Sequence, residues 1–253
     1  MMQYELSPLL KLSGIVKSFG GIVALDGVEL SIESGSLTCI IGPNGCGKTT
    51  LFNVITGAFP PTAGNIWYED RDITGLPPYK IARRGIARKF QVPGIYPSLT
   101  VAENFEAAAA ARISVKRLVL GGVGYATAAG DVFALTNLKG RALVSAAELA
   151  HGEKQWLEIG MLMTCDPKLI LLDEPTAGMT VAETQRTADL ILKINRERGK
   201  TILVIEHDMH FVRRLACRVI VMMRGKVFRD GTYEEAQADS EVRKAYLGEI
   251  EPC

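Results

Sequence analysis

The stretch Gly42-Pro43-Asn44-Gly45-Cys46-Gly47-Lys48-Thr49-Thr50 decides the fold of this chain. It fits the pattern G-x-x-x-x-G-K-[ST]. The apolar run at residues 37–41 before it predicts a short buried strand, and residues 48–56 after it predict a helix that Gly57 ends. The glycines allow a tight turn in which successive N–H groups and a helix N-terminus face one anion. The stretch therefore predicts a loop that binds the phosphates of a nucleotide.

The side chains of this loop suggest individual roles. Lys48 can reach the β- and γ-phosphates, and the Thr49 hydroxyl can hold Mg²⁺. The alternative is a chance match in a glycine-rich turn. Cys46 lies inside the loop near a helix N-terminus, which lowers the pKa of a thiol. It is therefore either an oxidation switch or a small residue that fills the loop.

The composition is that of a globular protein without its own membrane anchor. Of 253 residues, 47% are hydrophobic and 23% charged, and the formal net charge of +1 gives no general attraction to nucleic acid or anionic lipid. The N-terminus does not resemble a signal peptide, and no run approaches the roughly 18 apolar residues of a membrane span. Five scattered cysteines without a C-x-x-C pair favour a reducing cytoplasm and no structural metal. We expect a cytoplasmic protein that reaches a membrane only through a partner and does not bind nucleic acid.

The order of predicted elements indicates an α/β fold. Predicted strands at residues 9–16, 22–32 and 64–68 would form an antiparallel layer. A short helix at 79–84 and a strand at 85–90 follow, and residues 100–166 are helical in pattern, with a glycine-rich loop at 121–127. Alternation then resumes, with strands at 169–172, 201–205, 219–223 and 227–228, a long helix at 182–198, a short helix before 219, and two small helices at the end. We predict a P-loop NTPase (RecA-like) core at residues 1–91 and 167–253, including an N-terminal antiparallel β-subdomain, with a helical subdomain at 92–166.

Polar residues follow two of the predicted core strands. Asp173 and Glu174 end one strand, and the carboxyl ends of parallel strands face the ligand crevice. Asp173 can hold Mg²⁺, and Glu174 can polarise the attacking water. His207 ends another strand and can hydrogen-bond the γ-phosphate or hold the water in line.

Two further residues have open interpretations. Gln91 follows a strand, within reach of Mg²⁺ or the attacking water, or it is an ordinary surface residue. Phe19 precedes the Gly20-Gly21 turn and either lies on an adenine ring or fills the core.

Together these residues resemble the ATP-binding subunits of ABC transporters over essentially the whole chain. They match the family's Walker A, Walker B, Q-loop and H-loop positions in order and spacing, namely Lys48 and Thr49, Asp173 and Glu174, Gln91, and His207. Phe19 matches the aromatic residue that stacks on adenine. Leu149-Ala150-His151-Gly152-Glu153 lies where the family's signature, usually Leu-Ser-Gly-Gly-Gln, is expected.

Within the family, three stretches resemble the ATPases of branched-chain amino acid and urea importers. They are residues 19–21 with 24–28, 177–179, and 246–248, while residues 151–162 resemble the urea type most. The resemblance implies Mg-ATP hydrolysis by two cassettes that clamp two ATP molecules head to tail. Ala150, His151 and Gly152 of one cassette would face the phosphate loop of the other. It also implies two membrane-spanning permease subunits, a periplasmic solute-binding protein, and a location on the inner face of the cell membrane.

Two departures from the family pattern leave alternatives open. Ala150 replaces the signature serine, and losing one hydroxyl donor to a γ-phosphate can cost roughly 3 kcal/mol, although Gly152 and its helix still offer N–H groups. Thr180 replaces the usual D-loop aspartate. The alternatives are an ATP switch that hydrolyses weakly and a soluble ABC ATPase, although the chain shows neither a long coiled coil nor a second phosphate loop. A small-molecule P-loop kinase lacks any sign of an acceptor pocket.

Overall fold

The computed structural model describes residues 7–89, 94–110 and 132–247. Contacts divide the chain into two compact units, one formed by residues 1–84 with 201–253 and the other by residues 85–200. The sequence predicts that a nucleotide-binding core and a helical subdomain meet at residues 91/92 and 166/167. These boundaries stay a prediction.

The strands and helices follow the predicted order. The strands are β1 Leu10–Phe19, β2 Ile22–Ile32, β3 Leu37–Ile41, β4 Ala63–Tyr68, β5 Arg71–Asp72, β6 Ile86–Lys89, β7 Leu169–Asp173, β8 Thr201–Ile205, β9 Arg218–Met223 and β10 Lys226–Gly231. The helices are α1 Lys48–Ile55, α2 Pro78–Arg83, α3 Val101–Ala110, α4 His151–Thr164, α5 Val181–Arg198, α6 Met209–Leu215, α7 Tyr233–Ala238 and α8 Ser240–Leu247. Residues 132–136 are also helical. The predicted glycine-rich loop at 121–127 lies outside the described residues.

An antiparallel sheet forms one layer of the first unit. Its strand order is β2-β1-β4-β5, which confirms the predicted antiparallel layer. β1 extends to Phe19, beyond its predicted end, because Phe19 still pairs with Ile22 across the Gly20-Gly21 turn. Leu10, Leu12 and Ile15 are fully buried along this strand.

The second sheet of this unit is largely parallel. β3 pairs with β8 on one side and β9 on the other, both parallel, and β10 is antiparallel to β9. Every residue of β3 and β8 is buried, as expected of parallel strands covered on both faces. Ile40 pairs with Ile205, so the loops that follow β3 and β8 leave the same edge of the sheet.

The second unit combines a parallel strand pair with helices. β6 pairs in parallel with β7, and α3 packs on α4. Phe105 of α3 is fully buried, and a Cβ atom added to Gly160 of α4 would lie 2.6 Å from its ring. Buried Lys89 and Glu158 form an ion pair at 3.6 Å between β6 and α4. Gly199, in the left-handed region, ends α5 as predicted.

None of the helices in the described part of the chain is both long and apolar enough to cross a bilayer.

Candidate nucleotide site

The predicted phosphate loop connects β3 to α1 in the first unit. Two positions of the loop require glycine, because a Cβ atom there would clash with neighbouring backbone and because φ is positive at both. A Cβ atom on Gly42 would lie 2.2 Å from the Met222 carbonyl oxygen, and one on Gly47 would lie 2.5 Å from that of Ala24. The loop is therefore pressed against β9 and β2, and the predicted need for glycine has a steric basis at both positions.

Lys48 lies at the centre of this loop. Its side chain is buried, and its ammonium group donates to the carbonyl oxygens of Gly42 at 2.7 Å and Pro43 at 3.1 Å. The ammonium group also lies 3.9 Å from the Cys46 sulfur. A cation held at this position suits a polyphosphate, because the loop backbone already determines where the charge lies.

Cys46 fills space within the loop. Its thiol is buried, and a Cβ atom on Gly42 would lie 2.7 Å from its sulfur. Burial raises the pKa of Cys46, and the nearby Lys48 opposes that rise only in part. Because the neutral thiol is unreactive, the geometry favours the loop-filling interpretation over the oxidation switch.

His207 and Phe19 also belong to the first unit. His207 lies two residues after β8 and is half-buried, at the sheet edge from which the phosphate loop leaves. Phe19 is 42% exposed, so it does not fill the core. Its ring packs edge to face on Phe59 at 5.3 Å, with the Lys17 ammonium group 5.0 Å from its centroid. Its stacking on adenine stays a prediction.

The Asp-Glu pair belongs to the second unit, at the end of β7. Asp173 is fully buried, and its Oδ2 accepts a hydrogen bond from Arg88 at 2.8 Å. Its Oδ1 is buried without a hydrogen-bond partner among the described residues. Burial raises the pKa of Asp173, and Arg88 opposes that rise. An unsatisfied buried carboxylate oxygen fits a position that a hard cation such as Mg²⁺ would take.

Glu174 has an unusual backbone conformation. Its φ is +47°, which costs a residue with a Cβ atom roughly 1–2 kcal/mol. Such strain persists where the surrounding fold requires it, and it concentrates at functional sites. It turns the chain sharply after β7, where the Ala177 N–H donates to the Glu174 carbonyl oxygen.

The predicted signature begins α4. Ala150 is the N-cap residue and has no side-chain acceptor, but its N–H donates to the Glu153 carboxylate at 3.0 Å. The His151 Nε2 atom lies 2.9 Å from the carbonyl oxygen of Ala177. The signature thus contacts the stretch that follows Glu174.

A capping box begins α5 immediately after that stretch. The Thr180 N–H and hydroxyl donate to the Glu183 carboxylate at 2.9 and 2.8 Å, and the Glu183 N–H donates back to the hydroxyl. Hydrogen bonds from Thr180 lower the pKa of Glu183. The Glu183 carboxylate also lies close to Gly152, whose N–H is predicted to be available to a phosphate, because a Cβ atom added there would lie 2.5 Å from Glu183 Oε1.

The sequence alone did not identify three charged residues that lie beside the predicted site residues. Nothing in the sequence alone indicates the partners of Arg88 and Lys89. Glu183 could have been found, because Thr180 and Glu183 have the Ser/Thr-x-x-Glu spacing of a capping box. Gln91, the predicted Q-loop residue, lies outside the described residues.

These elements together define a P-loop ATPase: a buried strand, a glycine-rich loop around a buried lysine, a helix, and a second strand that ends in Asp-Glu. The family model described as ABC transporter matches residues 25–177. The high-affinity branched-chain amino acid transport ATP-binding protein BraF of Pseudomonas aeruginosa is 37% identical over 254 residues, which cover 96% of this chain and 98% of that protein. This chain belongs to the ABC transporter family, as one of its ATP-binding cassettes.

Solved structures agree with this assignment. The ADP conformation of an ATP-binding cassette of an ABC transporter is 31% identical, with a TM-score of 0.84 over 96% of this chain and 100% of that one. A dimeric post-hydrolysis cassette bound to ADP and Pi is 27% identical, with a TM-score of 0.74 over 88% of this chain and 98% of that one. The predicted family, fold class and ATPase activity are confirmed. The closer resemblance to urea importers stays a prediction.

Proposed function

We propose that this chain is the ATP-hydrolysing subunit of an importer for a small polar solute, either a branched-chain amino acid or urea. The observation that carries the proposal is the full-length similarity to BraF together with a complete strand-loop-helix phosphate site around Lys48. Two membrane-spanning permeases, a second cassette and a periplasmic solute-binding protein would complete the transporter. The chain would then lie on the inner face of the cell membrane.

In this proposal, the residues of the loop bind the nucleotide. The backbone N–H groups of residues 42–50 and the Lys48 ammonium group bind the β- and γ-phosphates of ATP, and Phe19 contacts adenine. The Thr49 hydroxyl, Asp173 Oδ1 and Gln91 would hold Mg²⁺, which neutralises phosphate charge.

The remaining roles concern the attacking water and the partner cassette. Glu174 accepts the proton of the water, and His207 donates a hydrogen bond to the γ-phosphate. Ala150, His151 and Gly152 would face the ATP that is held by the partner cassette. Closure and reopening of the pair would change which side of the membrane the permeases face.

Glu174→Gln tests the hydrolytic part of the proposal. Because the substitution keeps size and hydrogen bonding but removes the base, we expect unchanged affinity for a fluorescent ATP analogue with Mg²⁺. Phosphate release should fall about 10²–10⁴-fold. Glu197→Gln, an exposed substitution on α5, is the matched control and should leave both measurements unchanged. Phosphate release by Glu174→Gln equal to that of the control would remove Glu174 from this role.

The solute is tested in the assembled transporter. We expect the reconstituted complex to hydrolyse ATP several-fold faster with its binding protein loaded with leucine or with urea, whichever is carried. A complex whose ATP hydrolysis responds to neither solute would contradict the proposal that the transporter imports a branched-chain amino acid or urea.

A weakly hydrolysing ATP switch is the second candidate. The observation that favours it is the presence of two carboxylates at the signature, because the Ala150 N–H donates to Glu153 and a Cβ atom on Gly152 would lie 2.5 Å from the Glu183 carboxylate. Restoring the hydroxyl with Ala150→Ser separates the two candidates. A large rise in turnover per ATP site would identify a degenerate site, whereas unchanged and substantial turnover would favour the ATPase. Thermal unfolding must be followed in parallel, since serine at an N-cap stabilises a helix by about 1 kcal/mol on its own.

A further inference from the structure

Two cysteine sulfurs face each other in the first unit, and neither cysteine is among the residues assigned to nucleotide binding. Cys39 lies in the middle of β3 and is fully buried, and Cys217 immediately precedes β9 and is half-buried. Their sulfur atoms are 3.3 Å apart although the residues are 178 positions apart in sequence. The parallel pairing of Thr38 with Arg218 holds the two strands in this register.

Only one of the two thiols borders open space. Cys217 lines a cavity of about 570 Å³, together with Arg213, Ala216, Arg218, Thr232 and others. A small oxidant can therefore approach Cys217 from this side. Cys39 is covered by the sheet and has no exposed surface.

The two thiols also differ in acidity. The hydrogen bond between the two thiols lowers the pKa of Cys217, although burial opposes that shift. The same hydrogen bond, together with burial, raises the pKa of Cys39 well above its usual range. Because thiolates are the nucleophiles, these pKa directions agree with the open space beside Cys217 in favouring Cys217 over buried Cys39 as the first site of oxidation.

We propose that Cys39 and Cys217 form a peroxide-responsive dithiol in which Cys217 is oxidised first and Cys39 then closes a disulfide. The Cys217 thiolate attacks one oxygen of the peroxide, the O–O bond breaks, and the other oxygen leaves as water or an alcohol after taking a proton. The product is Cys217 sulfenic acid. The Cys39 sulfur then displaces the sulfenic oxygen, which leaves as water with the Cys39 proton. In total, two thiols lose two electrons to one peroxide.

Disulfide formation brings the two sulfur atoms into bonding distance. The sulfurs must close from 3.3 Å to the roughly 2.05 Å of a disulfide. The new bond would join β3 to the start of β9, and β3 leads within three residues into the phosphate loop. Because the bond constrains an unfolded chain over a long loop, the melting temperature of the oxidised chain should rise by several degrees. This reaction needs neither ATP nor a transporter, so it stands apart from the proposed function.

Peptide mapping of the full chain tests the proposal. The purified protein is treated with one equivalent of hydrogen peroxide, its remaining thiols are blocked with N-ethylmaleimide, and it is digested without reduction. We expect a peptide pair joined through Cys39 and Cys217 with the mass of two hydrogens lost, and reversal by dithiothreitol. Cys165→Ser removes another half-buried cysteine and is the matched control, in which the linkage should persist.

A sulfenic acid trap tests the order of events. In Cys39→Ala, dimedone should label Cys217 several-fold faster than Cys165. If this variant does not fold, the mapping of the unmodified chain still decides. Peroxide treatment that links other cysteines, or that leaves Cys39 and Cys217 unlinked while Cys165 is oxidised, would overturn the proposal.

Discussion

The buried ion pair between β6 and β7 leads to a quantitative prediction about the end of β7. The Arg88 and Asp173 side chains are only 5% and 1% exposed, with 2.8 Å between nitrogen and oxygen. At an effective dielectric constant of about 20, their attraction is roughly 6 kcal/mol before desolvation. Arg88→Met removes one charge and leaves the Asp173 carboxylate buried beside an apolar side chain. We expect the free energy of unfolding to fall by about 3–5 kcal/mol.

A double-mutant cycle in urea isolates the pair from the other contacts of these residues. Arg88→Met, Asp173→Asn and the double variant are compared with the unmodified chain at pH 7. The double variant should recover much of the stability that Arg88→Met loses, since neither charge is then left alone. We expect a coupling energy of about 2–3 kcal/mol.

Arg141→Met is the matched control for the loss of an arginine from an ion pair. Arg141 lies 3.2 Å from Glu153, but these side chains are 52% and 20% exposed. Such a solvated pair contributes about 0–1 kcal/mol. The reasoning is refuted if Arg88→Met costs no more than Arg141→Met, or if the coupling energy lies within about 0.5 kcal/mol of zero.

Three further predictions concern the loop and the start of α5. Gly47→Ala should lower the free energy of unfolding by roughly 2–5 kcal/mol, measured by thermal unfolding, because it adds backbone strain and a clash with the backbone. Gly45→Ala should cost only about 1–2 kcal/mol, because its φ is positive but no other atom lies within 4 Å of the added Cβ. Equal costs would contradict the clash. Glu183→Gln should lower the urea midpoint at pH 7 and approach the unmodified chain as pH falls below about 4. Because the pKa of Glu183 is lower in the folded chain than the value of about 4.3 expected for the unfolded chain, its carboxylate stabilises the fold above that pH and loses this contribution as it is protonated. A difference in urea midpoint between the variant and the unmodified chain that widens in acid would refute the assignment. Thr187→Val should cost about 1–3 kcal/mol and shift the Trp156 emission, because the buried indole N–H donates to the Thr187 hydroxyl at 2.9 Å; an unchanged unfolding midpoint would argue against this.

Local patterns in the sequence predicted most of the fold. β3, β7 and β8 are short apolar runs between turn residues, and such runs are typical of buried parallel strands. The ends of α1 and α5 were predicted from Gly57 and Gly199, because a left-handed residue ends a helix. These elements depend on residues that are neighbours in the chain, which explains why one sequence suffices.

Contacts between distant residues were not predictable in this way. Arg88 and Asp173 are 85 positions apart, and no local pattern indicates that a guanidinium group lies beside the predicted Walker B carboxylate. The positive φ of Glu174 is likewise imposed by the fold around it, since the residue type does not favour that conformation. The phosphate loop was predictable because its chemistry lies within nine consecutive residues. The rest of the candidate site is assembled by the tertiary fold.

The Thr180 departure is less disruptive than the family pattern suggests. Threonine and aspartate both accept hydrogen bonds at a helix N-cap, so the start of α5 keeps its cap through the Thr180 and Glu183 pair. What changes is the loss of one negative charge at that position. The remaining contacts tie this segment to the signature, because His151 lies against the Ala177 carbonyl oxygen and the Glu183 carboxylate lies close to Gly152. A phosphate that displaced this carboxylate from its position beside Gly152 would also disturb the capping box of α5. Under the proposed function, the predicted signature and Thr180 should therefore respond together to ATP.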